Sequence, residues 1–218
     1  MRIRLEVAAS SGEVLRCRQL VGDVYHRRYG VVFSSDTYDL DRKIEPWPHR
    51  FLMGFVGKEL SAVCGLYVRN TYVERFGRVS HDEVAASLRQ AGTDTVYDPA
   101  ARRELTKLVV APRLRNSGLG PLFIAISHAR AFVELDAVGP TLVTFCVVES
   151  MRRLVERHGI RPRHLKPFPH YKVHELYRSE RNPMDSYLVI PHLDVPTHFR
   201  DLRIPGEHEL GPWLGGDR

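Results

Sequence analysis

Hydrophobic and polar positions divide the first thirty residues into one strand and one helix. Residues 2–7 alternate between polar and apolar side chains, which predicts a strand. The sequence from Ser10 to Glu13 has the spacing of a capping box and predicts the start of a helix that ends at Gly30. The apolar face of this helix is formed by Val14, Cys17, Val21, Val24 and Tyr25.

The next segments combine a hairpin with a second, shorter helix. The acidic residues and prolines between positions 36 and 48 predict a loop. Residues 51–56 and 60–68 are apolar and are separated by a glycine–lysine pair, which is typical of a β-hairpin. A second capping box over residues 80–83 predicts a helix that continues to about Gln90.

The second half of the chain alternates strands with helices. Residues 104–111 are rich in β-branched side chains and predict a long strand. After a glycine-containing loop, apolar residues recur at helical spacing from 122 to 133. Residues 141–148 predict another strand, 149–157 a short helix, and 186–190 a final strand. The order predicts one α/β domain over residues 1–195 with a mixed sheet. The Pro/Gly-rich tail, residues 196–218, is expected to pack on the domain or extend from it.

Composition narrows the class of protein. A chain of 218 residues with 43% hydrophobic and 27% charged residues is typical of a globular domain. The longest uncharged stretch near the middle, residues 138–148, is too short to cross a bilayer. The charged residue Glu6 interrupts the only candidate for a signal-peptide core. The three cysteines have no paired spacing and are expected to be buried thiols. We therefore expect a cytoplasmic protein without a membrane partner.

The positive charge is concentrated in one segment. The chain has 32 basic and 26 acidic residues, a net charge of +6. Residues 151–181 contain nine basic and three acidic residues, so this basic segment carries the whole excess. Such a patch favours an anionic partner, either a phosphorylated cofactor, an acidic carrier protein or RNA. The alternative is a solvated face of a basic protein.

A glycine loop follows the long strand and precedes the predicted helix. Residues 115–120 read Arg-Asn-Ser-Gly-Leu-Gly, with Gly118 and Gly120 at the positions where backbone can approach a ligand closely. The start of the following helix offers unpaired N–H groups to an anion. The loop lacks Gly-Lys-Ser/Thr, which excludes a nucleotide P-loop. It also lies at mid-chain rather than after the first strand, which disfavours a dinucleotide fold. A purely structural loop stays open as an alternative.

With this context, the chain resembles the Gcn5-related N-acyltransferase (GNAT) superfamily, whose pyrophosphate loop has the pattern Gln/Arg-x-x-Gly-x-Gly/Ala. The resemblance covers about residues 1–190 and rests on this loop and on the order of elements. It implies a single domain with a mixed, mostly antiparallel sheet, flanked by helices and splayed between the fourth and fifth strands. It further implies acyl-CoA or an acyl-phosphopantetheine as co-substrate, with no permanently bound cofactor. The residues that would hold the donor are Val109, Val110, Arg115, Asn116, Ser117, Gly118, Leu119 and Gly120.

Within the superfamily, the chain resembles the branch of acyl-homoserine-lactone synthases and N-acyl amino acid synthases. The similarity lies in the aromatic end of the first helix, in an Asp-x-x-Asp pair (Asp36 and Asp39), and in Glu104 followed by Lys107, where many members have Arg. The resemblance implies that Glu104 is the general base. The alternative is that Glu104 forms an ion pair at an exposed strand end.

Two further groups are candidates for the acceptor site. Asp36 and Asp39 would position an amine substrate by charge, and the alternative is a polar turn. Arg69 would hold a substrate carboxylate, and the alternative is a surface arginine. No metal is expected, because prolines disfavour the helix that would give His170 and His174 the spacing of ligands.

The chain departs from the superfamily at the position of the usual general acid. Members place a tyrosine in the short helix after the fifth strand, where this sequence has Val155. A thiol of pKa about 8.5 leaves without much help, so another group or water would suffice.

The predicted function is transfer of an acyl group from acyl-CoA or an acyl carrier protein to the amine of a small molecule or amino acid. A first alternative uses aminoacyl-tRNA as the donor, which the basic segment would bind. A second is a non-catalytic sensor domain. A homodimer stays open.

Overall fold

The computed structural model describes residues 2–34, 37–69, 71–93, 98–114, 142–168 and 184–209, together with Gly120 and Phe123. Within these residues, the strands are β1 (Arg2–Val7), β2 (Val32–Ser34), β3 (Ile44–Pro46), β4 (Arg50–Val56), β5 (Glu59–Tyr67), β6 (Arg102–Val110), β7 (Leu142–Val148), β8 (Arg163–Pro167), β9 (Met184–Val189) and β10 (Gly206–Glu209). The helices are α1 (Ser11–Tyr29), α2 (Tyr72–Arg75), α3 (His81–Gln90), α4 (Glu149–Arg157), α5 (Pro191–Asp194) and α6 (Thr197–Arg200).

One large sheet organises the domain. Its strands follow the order β10-β1-β4-β5-β6-β7-β9-β8, and every neighbouring pair is antiparallel except β6 and β7, which are parallel. The strands β2 and β3 form a separate two-stranded parallel sheet. The predicted mixed, mostly antiparallel sheet with flanking helices is confirmed.

The parallel strands β6 and β7 separate soon after they meet. Across the described residues of both strands, pairing runs from Arg102 opposite Leu142 to Glu104 opposite Thr144. Beyond these pairs, β6 continues along β5 as far as Val110, and β7 continues along β9. The sheet is therefore splayed between the fourth and fifth of its long strands, as predicted.

The first helix begins and ends where its sequence requires. Ser10 Oγ accepts a hydrogen bond from the Glu13 N–H at 3.2 Å, and Glu13 Oε2 accepts one from the Ser10 N–H at 2.9 Å. Gly30 ends the helix in the left-handed conformation, which glycine adopts without steric cost. Cys17 and Val21 are buried against β4, β5 and β6, so α1 covers one face of the sheet.

The opposite face carries the largest core. Helix α4 contributes Val155 to a cluster with the inner residues of β1, β5 and β7, and Phe123 packs in the same cluster. Gly54 on β4 permits this close packing. A Cβ at Gly54 would lie 2.7 Å from Phe123 Cε2 and 2.8 Å from Ile3 Cδ1, both in buried side chains.

Several short elements are absent from the sequence predictions. The loop predicted between positions 36 and 48 contains β3, which pairs with β2. Strand β8 is also absent from the sequence predictions. Helix α2 is absent as well, although Thr71 and Glu74 form a capping box at its start. Three-residue strands give too little alternation to recognise. Strand β10, from the segment expected as a tail, pairs with β1 at the sheet edge.

Among the described residues, none of the helices is long and apolar enough to span a membrane.

Substitution of Gly54 by Ala is expected to lower the free energy of unfolding by about 1–3 kcal/mol, because the new methyl group overpacks a filled core. Urea denaturation measures the change. The matched control is Gly12→Ala in α1, where a Cβ has no neighbouring atom within 4 Å. There the substitution is expected to raise stability by about 0.4–1 kcal/mol. Equal effects at the two sites would contradict the packing argument.

Candidate active site

Glu104 lies at the last residue pair before β6 and β7 separate. It is opposite Tyr67 on β5 and Thr144 on β7, and only 1% of its surface is exposed. The alternative of an ion pair at an exposed strand end is therefore wrong, because the side chain is buried in the interior of the sheet.

The Glu104 carboxyl group closes the N-terminus of α2. Its Oε1 accepts a hydrogen bond from the Tyr72 N–H at 3.1 Å, and its Oε2 accepts one from the Val73 N–H at 2.8 Å. Thr71, the N-cap of α2, adds a side-chain hydrogen bond. The two backbone donors, from Tyr72 and Val73, are among the N–H groups that a helix leaves unpaired in its first turn. Glu104 thus joins α2 to the splayed part of the sheet.

Burial and hydrogen bonding act on Glu104 in opposite directions. Burial disfavours the charged form and raises the pKa of Glu104 to about 7. The hydrogen bonds from Val73, Tyr72 and Thr71, and the nearby charge of Arg102, lower the pKa but do not offset burial. A carboxyl group with a pKa near 7 can both accept and release a proton at neutral pH.

A β-bulge follows Glu104 on the same strand. Thr106 pairs with Gly65 and Val109 pairs with Val63, so Lys107 and Leu108 together face the single residue Cys64. Lys107 has a φ of 50°, in the left-handed region. Bulges re-aim side chains and backbone groups, and they often occur beside active sites.

The Lys107 side chain extends from the bulge into the protein interior. Its Nζ forms an ion pair with Oε2 of Glu45 on β3, and both side chains are buried. The ammonium also lies over three aromatic rings, 5.0 Å from the centroid of Tyr25, 5.6 Å from Phe33 and 4.9 Å from Tyr72. We call these four partners of the ammonium the Lys107 box. Glu45 and Tyr72 were not among the predicted site residues.

Beyond Glu104 the strands β6 and β7 no longer pair, and we call the space between them the gap. Of the residues predicted to bind the donor, two lie on β6 beyond this point, Gly120 lies near its end, and the others lie outside the described residues. Val109 is buried in the core beneath α1, whereas Val110 is partly buried on the other face. Gly120 meets the end of β6, since a Cβ there would lie 3.6 Å from Val110 Cγ2. The remaining loop residues, Arg115, Asn116, Ser117, Gly118 and Leu119, lie outside the described residues.

The contacts described for the predicted acceptor residues Asp39 and Arg69 are with residues other than Glu104. Asp39 Oδ1 accepts a hydrogen bond from the Arg42 N–H at 3.1 Å, and its Oδ2 pairs with Arg42 Nε at 3.6 Å, which is the geometry of a polar turn. Arg69 is exposed just after β5. Burial, followed by the charge of Arg69, lowers the pKa of His49. Asp36 lies outside the described residues.

No described residue replaces the usual tyrosine in α4. Val155 is 1% exposed and packs in the core beneath that helix. The departure found in the sequence therefore has a structural counterpart, because the position that would carry a general acid points into the apolar interior.

The basic segment is partly neutralised by neighbouring carboxylates. Four of its described basic residues have such partners: Arg152, Arg153, Arg163 and Lys166. Arg157 and Arg161 are exposed. The other basic residues of the segment, Lys172, Arg178 and Arg181, lie outside the described residues, as do His170 and His174. Within the described part of the chain, no cluster of three or more side chains could hold a metal ion.

The pKa of Glu104 predicts how stability depends on pH. The unfolded chain releases the proton near pH 4.5, whereas the folded protein retains it until about pH 7. The free energy of unfolding should therefore fall by about 3 kcal/mol as the pH rises through this range. Urea denaturation at a series of pH values measures the slope.

Two variants separate this contribution from other titrating groups. Glu104→Gln is expected to remove that slope. Asp194→Asn, which removes another buried carboxyl group, should leave the Glu104 contribution in place. A slope that persists unchanged in Glu104→Gln would show that Glu104 ionises at its ordinary pKa.

No protein-family model and no curated protein matches this chain. Several solved structures do. One is the CoA-dependent acyl-homoserine lactone synthase BjaI, with SAM and isopentyl-CoA, at 12% sequence identity, a TM-score of 0.55, and coverage of 91% of this chain and 86% of that chain.

Two other solved structures extend the likeness. FeeM, an N-acyl amino acid synthase from uncultured soil microbes, has 12% identity, a TM-score of 0.50, and coverage of 87% and 91%. The acyl-homoserine lactone synthase LasI has 8% identity, a TM-score of 0.51, and coverage of 87% and 89%. The chain thus has the GNAT-like fold of acyl-homoserine lactone synthases and of an N-acyl amino acid synthase, as its resemblance to that branch implied.

Proposed function

We propose that this protein is an N-acyltransferase that moves an acyl group from a phosphopantetheine thioester to the amine of a small molecule or amino acid. The observation that carries the proposal is that β6 and β7 separate beside Glu104, a buried carboxyl group with a pKa of about 7. The solved structures that share this fold include a CoA-dependent synthase and an N-acyl amino acid synthase.

The gap between the diverging strands suits an extended donor. Past Glu104, the edge of β6 that faces β7 is not used for pairing with that strand. An extended chain that carries amide groups, such as pantetheine, can hydrogen-bond to such a strand edge. Val110 and Gly120 meet at the far end of β6, where the loop of residues 115–120 would then hold the phosphates.

Glu104 would act on the acceptor amine. An amine attacks a thioester only in its neutral form, and an α-amine of pKa about 8 is mostly protonated at pH 7. Glu104 would take the proton that the nitrogen loses, directly or through water. A backbone N–H beyond the bulge would donate a hydrogen bond to the thioester oxygen as negative charge develops there.

The leaving thiolate needs little assistance. A thiol with a pKa of about 8.5 is a good leaving group near neutral pH. The buried Val155 is compatible with this step, because water can supply the proton after the carbon–sulfur bond breaks. The products would be an amide and a free phosphopantetheine thiol.

Charged side chains of this protein suggest how the acceptor and the carrier of the acyl group would be held. Asp36 and Asp39 would attract the acceptor amine, and Arg69 would attract a carboxylate on the same molecule. Arg157 and Arg161 are exposed on or just after α4 and would contact the CoA phosphates or an acidic carrier protein.

Intact-mass analysis tests the donor class. The protein is incubated with acyl-CoA thioesters, an acylated carrier protein and charged tRNA, each with a panel of small amines. Discharge of a phosphopantetheine thioester with formation of an amide is expected. Discharge of charged tRNA alone would assign the aminoacyl-tRNA alternative, and discharge of no donor would favour the non-catalytic sensor.

Substitution Glu104→Gln is expected to lower kcat/KM about 10²- to 10⁴-fold, which is the usual contribution of a general base. In the unaltered protein, kcat/KM should rise as the pH increases through about 7, because Glu104 then loses its proton. The variant should lack this rise. Steady-state kinetics from pH 5.5 to 8.5 would measure both effects.

Asp194→Asn is the matched control for the kinetics. Asp194 is a buried carboxyl group that accepts hydrogen bonds from the Ile190 N–H and from Arg163, away from the gap. We expect Asp194→Asn to reduce stability but to preserve kcat/KM and its pH profile. A Glu104→Gln enzyme with the unaltered rate and profile would exclude Glu104 as the base.

A further inference from the structure

Lys107 occupies a conformation that its neighbours must hold in place. A lysine with a φ of 50° is in a region where a side chain with a Cβ atom is sterically disfavoured. Such conformations persist when the surrounding structure over-determines them, and they cluster at functional sites. At Lys107, the surroundings are the ion pair with Glu45 and the three rings of the Lys107 box.

The residues of the Lys107 box come from elements that are distant from one another in the sequence. Tyr25 comes from α1, Phe33 from β2, Glu45 from β3 and Tyr72 from α2, whereas Lys107 is on β6. Among the described strands, β2 and β3 do not pair with the large sheet. A side-chain hydrogen bond joins the two sheets, because the Tyr67 hydroxyl on β5 donates to the Pro46 carbonyl on β3 at 2.7 Å. The ion pair between Glu45 and Lys107 adds a link from the small sheet to β6, and it lies at the bulge itself.

The bulge decides which way the residues beyond it face. Glu104 lies opposite Tyr67 and Val109 lies opposite Val63. These partners are four positions apart on β5 and so face the same side of the sheet, the side on which Val109 is buried beneath α1. Glu104 and Val109 are an odd number of positions apart, so a regular strand would place them on opposite faces. The extra residue at the bulge puts them on one face. It also puts Val110 on the other face, near Gly120.

We infer that Lys107 is a positioning residue, which holds the bulge of β6 through its ion pair with Glu45 inside the aromatic box and so aims the backbone beyond it into the gap. This inference rests on the proposed acyl transfer. Without the pair, β6 would pair regularly with β5, and a one-residue slip would turn every residue beyond Lys107 to the other face. The N–H that polarises the thioester oxygen would then be misdirected.

The charged pair suits this role better than an apolar contact would. A buried ion pair often adds little stability compared with apolar residues of similar volume, but it can impose one specific arrangement. The compact ammonium of lysine fits among three rings while it forms an ion pair with a carboxylate. The interaction therefore selects one register of β6.

A double variant tests the inference without leaving a buried charge. Lys107→Met alone would leave the Glu45 carboxylate buried without its ion-pair partner, which is expected to destabilise the fold strongly. Lys107→Met is therefore combined with Glu45→Met. The double variant should fold with a thermal midpoint near that of the unaltered protein. Its crystal structure is expected to show Cys64 opposite a single residue, without the bulge.

Kinetics of the same double variant test the catalytic consequence. Loss of one oxyanion donor typically lowers kcat about 10²- to 10³-fold, so we expect a fall of about 10²-fold. KM for the thioester should change less than about threefold, because the groups that would bind the donor phosphates are unchanged. Asp194→Asn is again the control and should retain kcat.

The outcomes separate this inference from the proposed function. A bulge that persists in the double variant overturns the inference, whatever the turnover. A lost bulge with unaltered kcat overturns its catalytic part. If the unaltered protein discharges no thioester, the proposed function fails, while the crystal structure of the double variant still decides whether the ion pair holds the bulge.

Discussion

The short pairing between β6 and β7 is the constraint on which the rest of the site depends. Within the described residues these parallel strands share three residue pairs, and beyond them the edge of β6 is not paired with β7. The same junction requires Glu104 to lie in the interior, opposite Tyr67 and Thr144. The gap and the buried carboxyl group are thus two results of one topology.

Two buried carboxyl groups, Glu104 and Glu45, distinguish the region around the bulge of β6. Glu104 is accommodated because α2 offers it two backbone N–H groups, and Glu45 because Lys107 neutralises it. Burial of Glu104 destabilises its charged form, which is unfavourable for folding at neutral pH but is what brings its pKa to about 7. Sites that perform acid–base chemistry commonly combine lower stability with such a shifted pKa.

Local signals in the sequence predicted the elements around the site well. The capping box at Ser10 and the left-handed Gly30 set both ends of α1, because each depends only on residues within a few positions. The hairpin of β4 and β5 and the long strand β6 were also predicted. Glu104 was selected as a candidate, but its contacts with α2 were not, since the chain between them contains a further helix.

Glu45 and Tyr72 are absent from the predicted site residues for the same reason. Glu45 lies in a segment that reads as a loop, and Tyr72 lies in a helix of four residues, so neither has a periodic pattern around it. Their importance comes from meeting Lys107, which is far away along the chain. Asp39 and Arg69 remain predictions for the acceptor site: Asp39 lies in a turn with Arg42, and Arg69 is exposed.

By itself, the sequence determined where α1 and α3 begin and which segments form the long strands, and through its resemblance to a known superfamily it indicated the splayed sheet. These properties depend on local hydrogen bonding and on side-chain periodicity. Only the tertiary structure decided that Glu104 is buried with a raised pKa, and that Lys107 is enclosed by Glu45 and three rings at a bulge. The reason is physical: burial, ion pairing and register result from contacts between distant segments, which the order of residues does not display.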